Sequence, residues 1–296
     1  MTKYVFPVLL VLLGACRQQG EEMPETATSG TLRIAYDESY LPIANQETAI
    51  FQYLYKNATV LETVLPQEMS HALFLKDSVK VIISSRMLNE EELKYLNSRK
   101  VYPKTYEFAN DGLMILASHQ SDDSCISLEK LKSILRGGIT GYSVIVDQSA
   151  GASLQSLVNQ LGLGKDSLKN IYASGSLSEV TEIVSGKENT IGVVGGAWLS
   201  DFESPKTKAI FEKLRLVKVS STPKSIPYLP FQSELADSLY PLKRKIYLIS
   251  RESKMGLANG FAAFLLGEKG QRVVLKAGLL PARMPGREVV LSKKRP

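Results

Sequence analysis

Cysteine and histidine, the usual ligands of transition metals, are scarce in this sequence of 296 residues, which has two of each. The histidines, His71 and His119, are far apart and have no cysteines clustered beside them. No spacing is therefore typical of a zinc site or another transition-metal site. We predict no bound metal and no cofactor.

A nucleophilic hydrolase is also disfavoured, because the segment "GASLQ" lacks the features of a nucleophile elbow. Gln155 stands where the G-x-S-x-G pattern needs its last glycine, and no histidine is near it in sequence. The S-x-x-K tetrads that begin at Ser127 and Ser221 have no S-D-N or K-T-G elements to accompany them. We therefore predict that the protein is not an enzyme.

Charge of one sign is not concentrated in any long segment. The formal net charge is +6, and the basic residues are spread along the chain except in the terminal "SKKRP". A nucleic-acid-binding domain usually carries a basic patch or stripe that neutralises phosphates. We therefore predict no nucleic-acid partner.

Long apolar runs are missing as well, apart from residues 4–15 near the start of the chain. This run is too short for the ~20 apolar residues of a membrane-spanning helix, and it follows an early Lys3, as in a secretory signal peptide. Its ending "LLGAC" resembles the lipobox of bacterial lipoproteins, which implies cleavage before Cys16 and acylation of that cysteine. We predict a signal peptide over residues 1–15, and a lipidated cysteine and flexible tether over 16–30. Cys125 is then left without a disulfide partner, and we expect it to be a packed thiol.

Apolar strands alternate with helical segments along the rest of the chain, which indicates an α/β fold with mainly parallel sheets. The predicted strands are "TLRIAY", "SVKVIISS", "DGLMILAS", "TIGVVGGAWL" and "YPLKRKIYLIS". Predicted helices cover residues 46–55, the segment "MLNEEELKYLNSRK", a segment capped by Ser127, and two C-terminal stretches that end near Gly278 and Pro281.

Small residues crowd the start of another predicted helix, in the segment "VIVDQSAGASLQSLVNQLGLG". Leucines recur at helical spacing after residue 153, so the helix begins close to Ser149, Gly151 and Ser153. Two interpretations remain open. Ser149 or Ser153 caps the helix, or small side chains let an anion approach the N–H groups and the positive end of the helix dipole.

Other candidate ligands follow strands, where ligands of open α/β sheets gather. Ser39, in "DESY", either donates to an anion or belongs to an ordinary turn. Ser85 and Arg86 offer a hydroxyl and a guanidinium suited to a tetrahedral oxyanion, although Arg86 could instead pair with a glutamate of the following helix, Glu90 or Glu91. Asp111 begins a predicted hinge strand, or caps a turn as a loop carboxylate.

An ordered series of segments resembles the phosphate-binding lipoproteins of ABC importers, within the periplasmic-binding-protein superfamily. The series comprises "SSRMLNEEEL", "DGLMILAS", "LEKLKSILRGGIT", "IGVVGGAWL", "YPLKRKIYLIS" and "GFAAFLLGEKGQRVVLKAGLLPA". The resemblance implies a type II two-lobed fold, in which each lobe has a sheet flanked by helices and the ligand lies between them. We expect lobe 1 over residues 31–115 and 239–296, and lobe 2 over residues 116–238.

In the phosphate-binding relatives, an arginine precedes the small-residue loop that enters the helix, and the resemblance places Asp147 at that position. Its carboxylate either accepts a hydrogen bond from a protonated phosphate or faces away from the ligand. The predicted oxyanion ligands are thus Ser39, Ser85, Arg86, Asp111, Asp147, Ser149, Gly151 and Ser153.

The resemblance implies a monomeric lipoprotein of the bacterial cell envelope, periplasmic or surface-exposed, anchored to a membrane through Cys16. It would deliver an oxyanion, with phosphate the first candidate, to an ABC permease. The alternative is a lipoprotein sensor or surface interaction module that keeps the fold but has altered or lost phosphate binding.

Overall fold

The computed structural model of the protein describes residues 25–147 and 151–286. The predicted signal peptide, the lipidation site Cys16, most of the predicted tether and the candidate ligand Ser149 lie outside these ranges. The described strands are β1 (Ser29–Tyr36), β2 (Asn57–Val64), β3 (Val81–Ser84), β4 (Lys104–Gly112), β5 (Met114–Ser118), β6 (Cys125–Ser127), β7 (Ser143–Val146), β8 (Ile171–Ala173), β9 (Thr190–Val194), β10 (Leu214–Leu216), β11 (Lys218–Ser220), β12 (Lys243–Ser250) and β13 (Leu280–Pro281).

Ten α-helices alternate with these strands in the described part of the chain. They are α1 (Leu41–Leu54), α2 (Gln67–Leu75), α3 (Glu90–Ser98), α4 (Leu128–Leu135), α5 (Ala152–Gln160), α6 (Leu177–Ser185), α7 (Pro205–Phe211), α8 (Gln232–Ala236), α9 (Leu257–Leu266) and α10 (Glu268–Lys276). None of these helices combines the length and the apolar character that crossing a membrane requires.

The first lobe is built on a six-stranded sheet with the order β13-β4-β12-β3-β1-β2. Strand β1 pairs in parallel with β2 and β3, whereas β12 is antiparallel to both β3 and β4. Helices α1, α9 and α10 pack on this sheet, where the ring of Phe51 lies 5.1 Å from that of Phe261 and 5.4 Å from that of Phe264. These aromatic rings fix α1 and α9 against each other, and so fix the loop that precedes α1.

The second lobe is built on a five-stranded sheet with the order β10-β5-β9-β7-β8. Strand β7 pairs in parallel with β8 and β9, and β5 is antiparallel to β9 and β10. A small parallel pair, β6 and β11, extends this lobe. Helix α5 begins at Ala152, five residues after Asp147, which directly follows β7.

The predicted α/β class with two lobes is confirmed, but both sheets are mixed rather than mainly parallel. The strands that carry the chain between lobes all pair antiparallel with a neighbour, as do the edge strands β10 and β13. Strand β4 continues into β5 after Leu113 alone, and the return path enters β12. The two crossings are hydrogen-bonded to each other, since the N–H of Leu113 donates to the carbonyl of Leu242 at 3.0 Å. Gly112 is required here because a Cβ would lie 2.7 Å from the Pro230 side chain.

Local signals placed several helices correctly. Ser127 caps α4 by accepting a hydrogen bond from the N–H of Lys130, as predicted. Helix α4 stops before Gly137, whose φ of +72° is in the left-handed region that favours glycine. Helix α1 begins at Leu41, five residues before the predicted start, because Pro42 is suited to the first turn of a helix.

The prediction of a packed Cys125 thiol is wrong, since this cysteine is exposed. It occupies the first position of β6, and the following residues Ile126 and Ser127 are the buried ones. Strand β4 was not among the predicted strands. The domain boundaries at 115/116 and 238/239 remain a prediction.

Candidate functional site

The candidate site lies between the lobes, where chain segments leave the carboxyl ends of β1, β3 and β7. In open α/β sheets, ligands bind outside these strand ends, and helices begin there with unpaired N–H groups. The segment after β1 forms a short 3₁₀ turn, Glu38–Tyr40, that runs directly into α1. Helices α2 and α5 begin on opposite sides of the same region.

Asp37 lies at the centre of this region and is buried. Its Oδ1 atom accepts the N–H of Ser39 at 3.0 Å, and its Oδ2 atom accepts the N–H groups of Gln67 at 3.2 Å and Ala152 at 3.1 Å. Gln67 and Ala152 are the first residues of α2 and α5. One carboxylate of the first lobe therefore meets the positive ends of two helices, one of them from the second lobe.

Side-chain hydrogen bonds continue this contact between the lobes. The Gln67 amide nitrogen donates to Oε1 of Gln155 at 2.8 Å, and the Ser156 hydroxyl donates to the Ser85 hydroxyl at 3.0 Å. Gln67 Oε1 in turn accepts the N–H of Ser85 at 2.8 Å. We call this set of groups the interlobe seam: Asp37, Gln67, Ser85, Ala152, Gln155 and Ser156.

The small-residue segment at the start of α5 is part of this arrangement. Gly151 is the residue that precedes α5, and it makes no side-chain cap. Ser153 does not act as a cap; it lies in the first turn of the helix, fully buried, and its hydroxyl donates to Oδ2 of Asp147 at 3.2 Å. In the described residues, the anion at the first N–H of α5 is the carboxylate of Asp37.

Asp147 is buried at the end of β7, within the second lobe. The hydrogen bond from Ser153 directs its Oδ2 atom toward the first turn of α5 rather than away from the site. The structure therefore brings together most of the predicted ligands of the second lobe, namely Asp147, Gly151 and Ser153, while Ser149 falls outside the described residues.

Arg86, another predicted ligand, is held by two glutamates instead of facing the seam. Its Nε and Nη2 atoms donate to the Glu68 carboxylate at 3.0 and 2.7 Å, and its Nη1 and Nη2 atoms donate to the Glu92 carboxylate, both at 2.9 Å. Nη1 also donates to the carbonyl of Met87 at 3.1 Å. These five bonds match the five N–H donors of a guanidinium, so this arrangement leaves none for an oxyanion.

A histidine supports the same corner of the first lobe. His71 is buried, and its Nε2 atom lies 2.9 Å from the hydroxyl of Ser84. Burial, aided by the nearby positive charge of Arg86, lowers the pKa of His71 to about 4. The imidazole is therefore neutral at pH 7, and it positions the end of β3 without adding charge to the site.

Asp111 occupies neither a loop nor a turn cap but the penultimate position of β4, fully buried. It faces Arg244 of β12 in register, and the guanidinium donates through Nε to Oδ1 at 2.6 Å and through Nη2 to Oδ2 at 2.9 Å. Burial opposes the charge of Arg244, but the Asp111 carboxylate outweighs it and raises the pKa of the guanidinium. This buried pair sits where the chain crosses between lobes.

Arg244 was missed at the sequence level, although a signal exists. In "KRKIYLIS" the arginine alternates along the strand with Ile246 and Leu248, so the three side chains lie on the same face, and all three are buried. Because side chains alternate between the faces of a strand, a charge at an inward position needs a buried partner. We call the groups that meet here the hinge cluster: Ser39, Tyr40, Asp111 and Arg244.

Ser39 and Tyr40 bring the loop after β1 into the hinge cluster. Both side chains are fully buried. The Ser39 hydroxyl has no hydrogen-bond partner among the described residues, and the Tyr40 hydroxyl has none of ordinary geometry, although the Ser85 hydroxyl lies close enough to favour its ionised form slightly. The guanidinium carbon of Arg244 lies 5.0 Å from the centroid of the Tyr40 ring. Burial raises the pKa of Tyr40, so its hydroxyl keeps its proton. No group of three or more histidine, cysteine, aspartate or glutamate side chains in the described ranges could hold a metal ion.

Comparisons with known proteins bear on the fold. Residues 22–269 match the family model of the PBP superfamily domain. No curated protein sequence shows significant similarity to the chain.

Several solved structures have a fold similar to that of this chain. A putative phosphate ABC transporter substrate-binding protein with bound phosphate from Clostridium perfringens is 18% identical with a TM-score of 0.72, and the match covers 86% of this chain and all of that one. An ABC-type phosphate transport receptor from Vibrio cholerae is 17% identical with a TM-score of 0.67, covering 85% and 100%. PstS from Borrelia burgdorferi is 21% identical with a TM-score of 0.57, covering 86% and 100%.

Proposed function

The chain belongs to the PBP superfamily, whose domain spans most of its length, and from this we propose that it is an extracytoplasmic solute-binding protein. It captures an oxyanion, inorganic phosphate first, and delivers it to an ABC permease without catalysis. A lipid on Cys16 anchors the protein to a membrane of the bacterial cell envelope.

The observation that carries the proposal is the convergence of both lobes on one buried polar region. Asp37 of the first lobe accepts the first N–H of α5 at 3.1 Å, and Ser85 accepts the hydroxyl of Ser156, in the middle of the same helix, at 3.0 Å. Such strand ends and helix starts are where open α/β folds bind anions. The solved structures with this fold that are described above as phosphate proteins support phosphate as the first ligand to test.

The two aspartates of the region favour a protonated oxyanion. Asp37 and Asp147 are both buried, and a buried carboxylate repels a fully ionised anion but accepts a hydrogen bond from one that carries a proton. Phosphate carries at least one proton at neutral pH, whereas sulfate carries none. We therefore propose that phosphate binds more tightly than sulfate.

Isothermal titration of the purified protein with phosphate, sulfate and acetate tests the proposal. Replacing Ser153 by alanine should weaken phosphate by about ten- to a hundredfold if its hydroxyl donates to the ligand. Asp147→Asn should weaken phosphate and strengthen sulfate, because it removes the repulsion along with the acceptor. A protein that binds none of the three anions would contradict the proposal and favour a sensor or surface interaction module.

A further inference from the structure

Three buried donors in the hinge cluster make no hydrogen bond of ordinary geometry with the described residues: the hydroxyls of Ser39 and Tyr40, and Nη1 of Arg244. The Ser85 hydroxyl is the polar neighbour of the Tyr40 hydroxyl. Ser39 and Tyr40 are fully buried, and Arg244 is 4% exposed. Buried polar groups in folded proteins nearly always have partners, because an unpaired one loses its hydration without compensation. Three such donors in one place therefore indicate an acceptor that the described residues do not supply.

The three donors belong to adjoining side chains. Ser39 and Tyr40 are consecutive, and Arg244 lies over the Tyr40 ring. Gly195 packs against both Ser39 and Arg244. A Cβ built on this glycine would lie 2.7 Å from Nη2 of Arg244 and 2.9 Å from Cβ of Ser39. Gly196 allows an equally close approach, because a Cβ there would lie 2.6 Å from the carbonyl oxygen of Gly112. These glycines let the loop after β9 pack directly against the donors.

Only part of the Arg244 guanidinium is hydrogen-bonded to the described residues. Its Nε and Nη2 atoms bind Asp111, while Nη1, which carries two N–H groups, binds no described residue. A purely structural ion pair between β4 and β12 would need only the first two atoms. The remaining face of the guanidinium, together with two hydroxyls, is the donor set that a tetrahedral oxyanion requires.

We propose that Arg244 is the cationic ligand of the oxyanion, and that Ser39 and Tyr40 donate to the same ion. This inference rests on the proposed function and extends it. Arg244 also supplies a positive charge from the crossing strand β12, which the site needs because the buried Asp147 at the end of β7 is a carboxylate rather than a cation. Since β12 lies at the passage between lobes, the ligand reaches Arg244 when the interlobe seam opens.

The cleanest test is Tyr40→Phe, which removes one unpartnered hydroxyl and keeps the packed ring. Titration with inorganic phosphate should show a dissociation constant raised by about tenfold or more, with no loss of thermal stability. The double variant Asp111→Asn with Arg244→Gln removes both charges of the buried pair together and should raise the constant by about ten- to a hundredfold. Arg251→Gln is the matched control, because Arg251 directly follows the same strand and pairs instead with Asp77 at 3.3 Å.

The outcomes separate this inference from the proposed function. Phosphate binding that is lost in the Tyr40 and Arg244 variants and kept in the Arg251 variant supports the inference. Binding that is unchanged in Tyr40→Phe and in a folded double variant overturns it and leaves the proposed function standing. A wild-type protein that binds neither phosphate nor sulfate overturns both. If the double variant does not fold, the result for Tyr40→Phe decides alone.

Discussion

The interlobe seam and the hinge cluster are both buried and polar, yet they treat their donors differently. In the seam, the N–H of Ala152 binds the carboxylate of Asp37, and the Ser156 hydroxyl binds Ser85. In the hinge cluster, the hydroxyls of Ser39 and Tyr40 make no hydrogen bond of ordinary geometry with the described residues. A network whose groups are all hydrogen-bonded favours one arrangement of the lobes. Buried donors without a partner gain hydrogen bonds when a ligand with acceptor atoms binds beside them.

This difference separates two tasks that a ligand-binding cleft must perform. The seam holds the lobes together through the chain's own carboxylate, at the helix start where an anion would otherwise bind. The hinge cluster keeps a positive charge buried beside two hydroxyls, so that an arriving anion gains bonds without losing any from the protein. The three predictions that follow test how far the two regions differ.

The largest expected effect is on the hinge cluster. Asp111→Ala leaves Arg244 buried without its counter-charge, and breaking a buried pair in this way costs about 3–5 kcal/mol. Urea unfolding should show this loss. Glu107→Ala is the control on the same strand, since Glu107 pairs with the half-exposed Lys245 at 2.8 Å, and exposed pairs are worth up to about 1 kcal/mol. Equal losses in the two variants would mean that the Asp111 pair is no more important than a surface pair.

The next effect concerns the seam. Asp37→Asn places an amide NH₂ beside backbone N–H groups at two helix starts and should cost about 1.5–3 kcal/mol of unfolding free energy. The lobes should also separate more easily, which small-angle scattering would record as a larger radius. The control is Asp201→Asn, because Asp201 also accepts a backbone N–H, at 3.1 Å from Glu203, but on an exposed loop. If Asp37→Asn leaves both the scattering radius and the unfolding free energy unchanged, Asp37 does not hold the two lobes together.

The smallest effect, counted per pH unit, comes from a buried group outside both regions. Glu47 of α1 is fully buried, and neither carboxylate oxygen has a partner among the described residues. Burial raises its pKa to about 9, so the folded state holds a proton that the unfolded state releases above pH ~4.5. Relative to Glu47→Gln, the wild type should therefore be most stable below pH ~4.5 and lose about 1.4 kcal/mol per pH unit up to pH ~9.

Denaturant titrations of both proteins from pH 6 to 9 measure this slope. A difference between them that stays flat would mean that Glu47 ionises normally in the folded protein. Glu47 is unpartnered like the hinge cluster, but among the described residues it forms no ion pair with a cation. Phosphate should leave its titration unchanged.

Much of the fold was predictable because its signals are local. Alternating apolar residues located β1, short apolar runs located β3, β5, β9 and β12, and the cap at Ser127 located α4. The mixed pairing of the sheets could not be predicted in this way, because it depends on where the chain crosses between lobes. Strand β4 escaped detection since its first half, from Lys104, is polar and partly exposed and its second half is buried.

In the candidate site too, local sequence signals predicted some features and missed others. The sequence indicated that Ser39, Ser85 and the start of α5 would meet, because strand ends and helix starts share one edge of such a fold. It also placed Arg86 next to Ser85, but sequence distance does not tell which carboxylates a long side chain will reach. Glu68, eighteen positions away in sequence, lies on the adjacent α2 and binds it at 2.7 Å.

The sequence by itself determined the class of fold, the family likeness, and the small-residue helix start that lets another group come close to its N–H atoms. Only the tertiary structure decided that this group is Asp37, 115 positions from Ala152, and that Arg244 faces Asp111 across two crossing strands. The physical reason is range. Periodicity and capping act over a few residues along the chain, whereas the partner of a buried charge is whichever group the packing of two lobes brings within about 3 Å of it.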